Sequence, residues 1–346
     1  MLARPMSIAF LLMFVMLSGC VEPDSSTSRA PDELVIAFEI RDDDANIEAN
    51  PERLASYLSE ALSMDVRLYN TPSEGAMIEA LRFGNADIAI LDGGAAWIGW
   101  QQYGLDVLVA EQRSDGRTNY GAHAWVRADG PIASAALDGD PMTDPFEALR
   151  GTTSCHTGWL KSAGMLFPMG SLIGQGYTEV LGDPDDIDSL RTTVHGFFNE
   201  NASIPDVGTP YYGYEGALRC LSEGYGDVAF AKDSTIMDVC GDVERPAWCL
   251  PLDEYLALPA FGQAPSHPVM YNPSTMDATL ASTVRNVLTT MNQDPQGAAV
   301  LEGVLGTSGL VDTNASAHLG SYSDSVRNIP GIVEYFGTKY GLERPI

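Results

Sequence analysis

The chain has 346 residues, 45% of them hydrophobic, and carries 47 acidic against 19 basic side chains, a formal net charge of -28. That length buries a large core and points to two compact units or one large α/β assembly, while the charge excludes nucleic acid as a partner, because a phosphate backbone needs a basic surface. So acidic a surface suits salty surroundings, and the only lysines, Lys161, Lys232 and Lys339 against sixteen arginines, are rare enough for their positions to be informative.

In chain order, the first element is the apolar stretch "MSIAFLLMFVMLSGC" behind Arg4, which has the form of a signal peptide closing on a lipobox-like site. It resembles bacterial and archaeal lipoprotein signals, so residues 1–19 are expected to be removed and Cys20 to be lipidated, anchoring the protein to a membrane. Ile8 to Leu17 alone is too short a run to span a bilayer. Residues 20–33, Cys20 followed by "VEPDSSTSRAPDE", read as a flexible tether.

Next come "ELVIAFEI" as a strand, "NPERLASYLSEALS" with a helical period, "DVRLYNT" as an alternating strand, "EGAMIEALRFG" as a helix and "ADIAILD" as a buried strand. Strand and helix alternate, which predicts a parallel-rich sheet with helices on its faces. A weak repeat links "EGAMIEALRFGNADIAILD" with "EGALRCLSEGYGDVAFAKD", in which Asp87 and Asp227 hold equivalent places. Two similar α/β halves follow, with a final, mainly helical segment expected to pack back on the first. This is the layout of a bilobed solute-binding protein with a cleft between its halves.

Export also fits the cysteines. Setting Cys20 aside leaves Cys155, Cys220, Cys240 and Cys249, an even number outside the reducing cytosol. Two disulfides are the simplest outcome, and composition leaves all three pairings open.

Candidate site residues are spread along the chain. Asp92 follows the strand "ADIAIL", where ligands of open α/β sheets collect, although an Asp-Gly step is also a common turn. Tyr120 opens the strand "YGAHAWV", and Tyr211, Tyr212 and Tyr214 precede a helix, where packing alone would account for one or two of them. In "SCHTGWLKSAGMLFPMGSLIG" a Ser-Ala-Gly step opens a helical period, whose unpaired N–H groups attract anions. Thr157 adds a hydroxyl and Lys161 a positive charge, so the loop has the chemistry of a small-anion cradle, although the window alone favours an ordinary strand-to-helix connection with a capping Thr and a solvated Lys. His267 stands in the loop "PSHPV".

Taken in order, the blocks "ILDGG", "SCHTGWLKSAG", "YYGYEGALRCL", "GDVAFAKDSTI" and "APSHPV" resemble one lobe of a transferrin, from about Leu34 to the C-terminal region. The resemblance implies a two-domain, type 2 periplasmic-binding-protein-like α/β fold, with residues 34–119 and 266–346 as domain I, 120–265 as domain II, and an interdomain cleft. It implies a ferric ion held by Asp92, Tyr120, Tyr214 and His267 together with a synergistic carbonate or bicarbonate on Thr157, Lys161 and the amides of Ala163 and Gly164. Lys232 matches a lysine beside the iron, and the cysteines of two blocks pair as Cys155–Cys220, leaving Cys240 with Cys249. The family usually has arginine where Lys161 stands, and an ammonium does not replace a two-donor fork. The expected function is therefore an extracytoplasmic ferric-ion-binding lipoprotein for iron acquisition, delivering to a membrane iron transporter. Hard ferric iron favours charged oxygen donors, and a metal deprotonates nearby phenols. The alternative is a lipoprotein binding phosphate, phosphonate or another small oxyanion without metal. An enzyme built on Cys155 and His156 is not expected, since neighbours on an extended strand face opposite ways and neither G-x-S-x-G nor H-E-x-x-H occurs.

Overall fold

A computed structural model describes residues 33–39, 50–140 and 142–342. The signal segment 1–19, the lipidation residue Cys20 and the tether up to residue 32 lie outside the described residues. Among the described residues, no helix is long and apolar enough to cross a membrane.

The described chain opens with β1 (Glu33–Glu39), α1 (Glu52–Leu62), β2 (Asp65–Thr71), α2 (Glu74–Arg82), β3 (Ile88–Ile90), α3 (Gly93–Tyr103) and β4 (Asp106–Gln112). The chain then crosses into β5 (Asn119–Arg127), α4 (Pro131–Leu137), β6 (Ser154–Cys155), α5 (Phe167–Gly174), α6 (Ser189–Phe197), α7 (Gly213–Ser222), β7 (Val228–Lys232), α8 (Thr235–Cys240), β8 (Tyr255–Ala257) and β9 (Gly262–Pro265). It returns through β10 (Pro268–Tyr271), α9 (Ala278–Thr290), α10 (Pro295–Val300), β11 (Gly309–Asp312), α11 (Ala315–Val326) and α12 (Ile332–Tyr340).

Two sheets result. One has the order β11-β4-β10-β3-β1-β2; the other runs β6-β7-β5-β8, with β9 also on β5. In the first, β1 pairs in parallel with β2 and β3, whereas β10 runs antiparallel between β3 and β4. The continuous apolar run Leu34 to Ala37 suits β1 to this interior place, since all four residues are fully buried. The sheets are joined where β4 leads into β5 and β9 into β10, and there Asn119 lies opposite Pro265.

The internal repeat has a physical basis. The Asp87 carboxylate accepts the Val35 N–H at 2.7 Å, and the Asp227 carboxylate accepts the Thr153 N–H at 2.8 Å. Each helix-turn-strand unit is thus locked to the neighbouring parallel strand in the same way. Both disulfides are formed, Cys155–Cys220 from β6 to α7 and Cys240–Cys249 across a short loop.

The last helices do not pack on the first domain alone. Tyr322 of α11 is buried edge-on between Trp97 of α3, ring centroids 6.4 Å apart, and Phe167 of α5, 5.5 Å apart. The Ser321 hydroxyl also accepts the Gln263 N–H of β9 at 3.0 Å. Leu319, Tyr322 and Val326 of α11 are spaced to share one face, and they are buried where α11 packs on both α3 and α5.

Candidate functional site

A cleft of about 340 Å³ lies at the carboxyl ends of β3 and β4, where open α/β sheets place their ligands. It is walled by Asp92 to Gly94 at the start of α3, Glu111 and Arg113 beyond β4, Asn119 and Tyr120 of β5, Leu160, Ser162 and Leu166, and Ala264 to His267. Tyr322, Phe336, Lys339 and Tyr340 complete it from α11 and α12.

Asp92 caps α3, its carboxylate accepting the Ala95 N–H at 2.7 Å, and it accepts the Tyr340 hydroxyl at 2.9 and 3.1 Å. The Lys339 ammonium stands 3.8 Å away. Behind it, Glu74 accepts the Asp92 N–H at 2.6 Å. Burial, and then the Asp92 charge, push the Glu74 carboxyl up to about 7. A raised folded pKa means the folded state holds its proton longer, so this stabilising contribution is complete below about pH 4.5 and is lost as pH climbs through about 7. Glu74→Gln should therefore raise the melting temperature at pH 8 and leave it unchanged at pH 4; an equal gain at both values would contradict the assignment.

Tyr120 and Tyr214 are both half-buried and are hydrogen-bonded to each other, and burial, followed by the Tyr120 contact, holds the Tyr214 phenol well above its usual range. His267 receives Glu111: its Nδ1 and the Glu111 carboxylate are 3.1 Å apart, and this contact raises the imidazole above its ordinary value against the opposing effect of burial. The structure thus brings Asp92, Tyr120 and His267 to one cleft, with Tyr214 against it through Tyr120.

The residues expected around the anion are placed differently. None of Thr157, Lys161, Ala163 and Gly164 lines the cleft; Leu160, Ser162 and Leu166 do. The helix start is also unusual. Ser162–Leu166 forms a π-helical turn, with Leu166 N–H on the Lys161 carbonyl at 3.0 Å, before α5 begins. Pro168 explains this, because it has no N–H to give the Gly164 carbonyl. That carbonyl instead accepts Nδ1–H of fully buried His156 at 2.7 Å, while Ser154 lies 3.0 Å from Nε2. Burial lowers the His156 pKa to about 4, so the ring is neutral and braces the loop.

Thr157 is 2% exposed, and its hydroxyl has no hydrogen-bond partner among the described residues. It lies against Gly164, where an added Cβ would stand 1.8 Å from Thr157 Oγ1. Gly164→Ala should push the loop off the helix start and lower stability by about 2 kcal/mol, measurable by denaturant unfolding; a neutral effect would mean the contact is slack. Lys161 is exposed, with its ammonium 5.5 Å from the Tyr212 ring centre. Lys232 is 3.0 Å from the Asp238 carboxylate and 5.7 Å from the Tyr214 ring centre.

Sequence reasoning missed Glu74, Glu111, Arg113, Lys339 and Tyr340. Glu111 and Arg113 had a signal, since they stand at the carboxyl end of β4 as Asp92 does at that of β3; Lys339 had only the rarity of lysine and Tyr340 had none, because their helix reaches the cleft through tertiary packing.

Serotransferrin of Gadus morhua is 30% identical over 244 residues, 62% of this chain and 34% of that protein, and serotransferrin of Bos taurus is 32% identical over 234 residues, 56% of this chain and 30% of that protein. The chain spans about a third of the length of these curated relatives. The structure of XAC2383 from Xanthomonas citri bound to chloride ion matches at a TM-score of 0.52 with 20% identity, covering 89% of this chain and 99% of that one. This likeness shows the fold, a two-domain periplasmic-binding-protein-like architecture with an interdomain cleft. Residues 36–318 match the family model described as "ABC transporter, phosphonate, periplasmic substrate-binding protein", and the chain belongs to that family.

Proposed function

We propose that this chain captures a small oxyanion of the phosphonate or phosphate class outside the cell and passes it to a membrane ABC transporter. The observation that carries the reading is where the cations sit in a protein of net charge -28. Arg113 and Lys339 line the cleft. Lys232 packs over Tyr214, which is hydrogen-bonded to cleft-lining Tyr120, so two of the three lysines of the chain lie in or beside it. Family membership supports the same ligand class, and a 340 Å³ cleft has room for a small polyatomic solute. Asp92 and Glu111 do not oppose it outright, because Tyr340 and His267 already engage them. In this reading residues 34–119 with 266–346 and residues 120–265 close on the ligand about the β4–β5 and β9–β10 crossings, and lipidated Cys20 tethers the protein to its membrane.

A second reading has its own observation. Asp92, Tyr120, Tyr214 and His267 supply a carboxylate, two phenols and an imidazole from four separate places in the chain, a donor set suited to a hard trivalent cation, and the transferrin relatives support it. Ferric iron would then be the cargo, held with carbonate or bicarbonate.

Calorimetric titration of the mature protein with methylphosphonate and with phosphate, in metal-free buffer, separates the two. Saturable binding of either anion is expected. No binding, together with a visible phenolate-iron absorption band on adding ferric citrate and bicarbonate that a strong chelator removes, would replace the first reading by the second.

A further inference from the structure

We propose that the Arg113 guanidinium is the group that clamps the anion in the cleft, and that Lys161 is not. The inference rests on the anion reading above and adds the residue that fixes the ligand's orientation.

Arg113 is the first residue after β4, at the crossing between the sheets. Its backbone is pinned on both sides: its N–H donates to the Arg117 carbonyl at 2.8 Å, and its carbonyl accepts the Gly116 N–H at 2.9 Å. The half-buried side chain lines the cleft, its Cζ 6.0 Å from the Tyr120 ring centre. Among the described residues no carboxylate forms an ion pair with it, although the chain carries 47 acidic residues. The surrounding carboxylates are engaged elsewhere: Asp115 and Asp233 by Arg117, Asp238 by Lys232 at 3.0 Å, and Glu111 by His267 at 3.1 Å. In so acidic a molecule, a pinned, half-buried guanidinium without a carboxylate keeps its donor fork for an incoming ligand. That fork fits two oxygens of one phosphonate, phosphate or carbonate by parallel N–H bonds, and Tyr120 lines the same cleft with a hydroxyl. Lys161, by contrast, is exposed, lies against Tyr212 and presents a point charge to water.

The test compares full mature chains carrying Arg113→Ala, Arg113→Lys and Lys161→Ala in methylphosphonate and phosphate titrations, with thermal melts to confirm folding. Arg113→Ala should weaken binding roughly 30-fold or more, as expected for losing charge-assisted hydrogen bonds. Arg113→Lys, which keeps the charge without the fork, should recover only part of that loss, and Lys161→Ala should lose far less than Arg113→Ala. A larger loss for Lys161→Ala, or wild-type affinity in Arg113→Ala, overturns the proposal. Should the wild type bind neither anion, the functional reading fails separately. The clamp is then read from ferric loading against bicarbonate concentration: Arg113→Ala should need several-fold more bicarbonate, and an unchanged requirement overturns it.

Discussion

Asp92→Asn should tighten binding of a metal-free oxyanion by on the order of ten-fold, an electrostatic effect of a unit charge in a partly dry cleft. The substitution is chosen to spare the fold. Asparagine caps helices as well as aspartate does, so the amide oxygen can still accept the Ala95 N–H and the Tyr340 hydroxyl. Only the formal negative charge leaves the wall that faces the ligand. The sign is what matters. If Asp92 instead supplies a charged oxygen to ferric iron, the same substitution removes a ligand and should weaken iron loading by more than the 10- to 100-fold typical of outer-shell changes at metal sites. Paired titrations of wild type and Asp92→Asn, with methylphosphonate and with ferric citrate plus bicarbonate, measure both. A weakened anion affinity would count against the oxyanion reading whatever the iron result.

Removing the Cys155–Cys220 disulfide by double alanine substitution should lower unfolding free energy by about 4 kcal/mol, the chain-entropy value for closing a loop of this length. The bond joins residues 65 apart, whereas Cys240–Cys249 joins residues 9 apart, for which the same argument gives about 2.5 kcal/mol. The long-loop bridge should also matter more for binding, because β6 leads directly into His156 and Thr157, which brace the helix start at the cleft. Denaturant unfolding of the two double variants tests the order, and a greater loss on removing Cys240–Cys249 would contradict it.

What the amino-acid sequence revealed here follows from where the information lies. Strands such as β1 and β3 are short apolar runs set between helical periods, so the alternating α/β pattern and both halves of the repeat were visible without coordinates. Asp92, Tyr120 and His267 were assigned through the ordered blocks that resemble a transferrin lobe; of the three only Asp92 was legible by its place at the end of a strand, where ligands collect. Lys161 shows the limit of that reasoning. Its place before a helix start suggests an inward charge, but positive φ values at Gly158 and Leu160, 131° and 57°, turn the chain so that Ser162 faces the cleft instead. Backbone reversals of this kind depend on the tertiary setting, as does the wide π turn that Pro168 imposes. The double role of α11 was equally invisible: an amphipathic pattern says that a helix buries a face, not which of two domains receives it, and Tyr322 meets Trp97 and Phe167 from far along the chain.

The scarcity and placement of lysine make the cleft chemically addressable. Apart from the amino terminus, the only primary amines are those of Lys161, Lys232 and Lys339; each has solvent access, Lys339 in the cleft, Lys232 over Tyr214, and Lys161 next in the chain to cleft-lining Ser162. Amine-reactive dyes will therefore label at most three side chains, with Lys339 in the cleft as the one whose labelling a bound ligand should slow, giving a report of occupancy without an engineered cysteine. For the same reason, coupling the protein to a sensor chip through its amines would obstruct the site being measured, and attachment through carboxylates or the amino-terminal tether would leave it open.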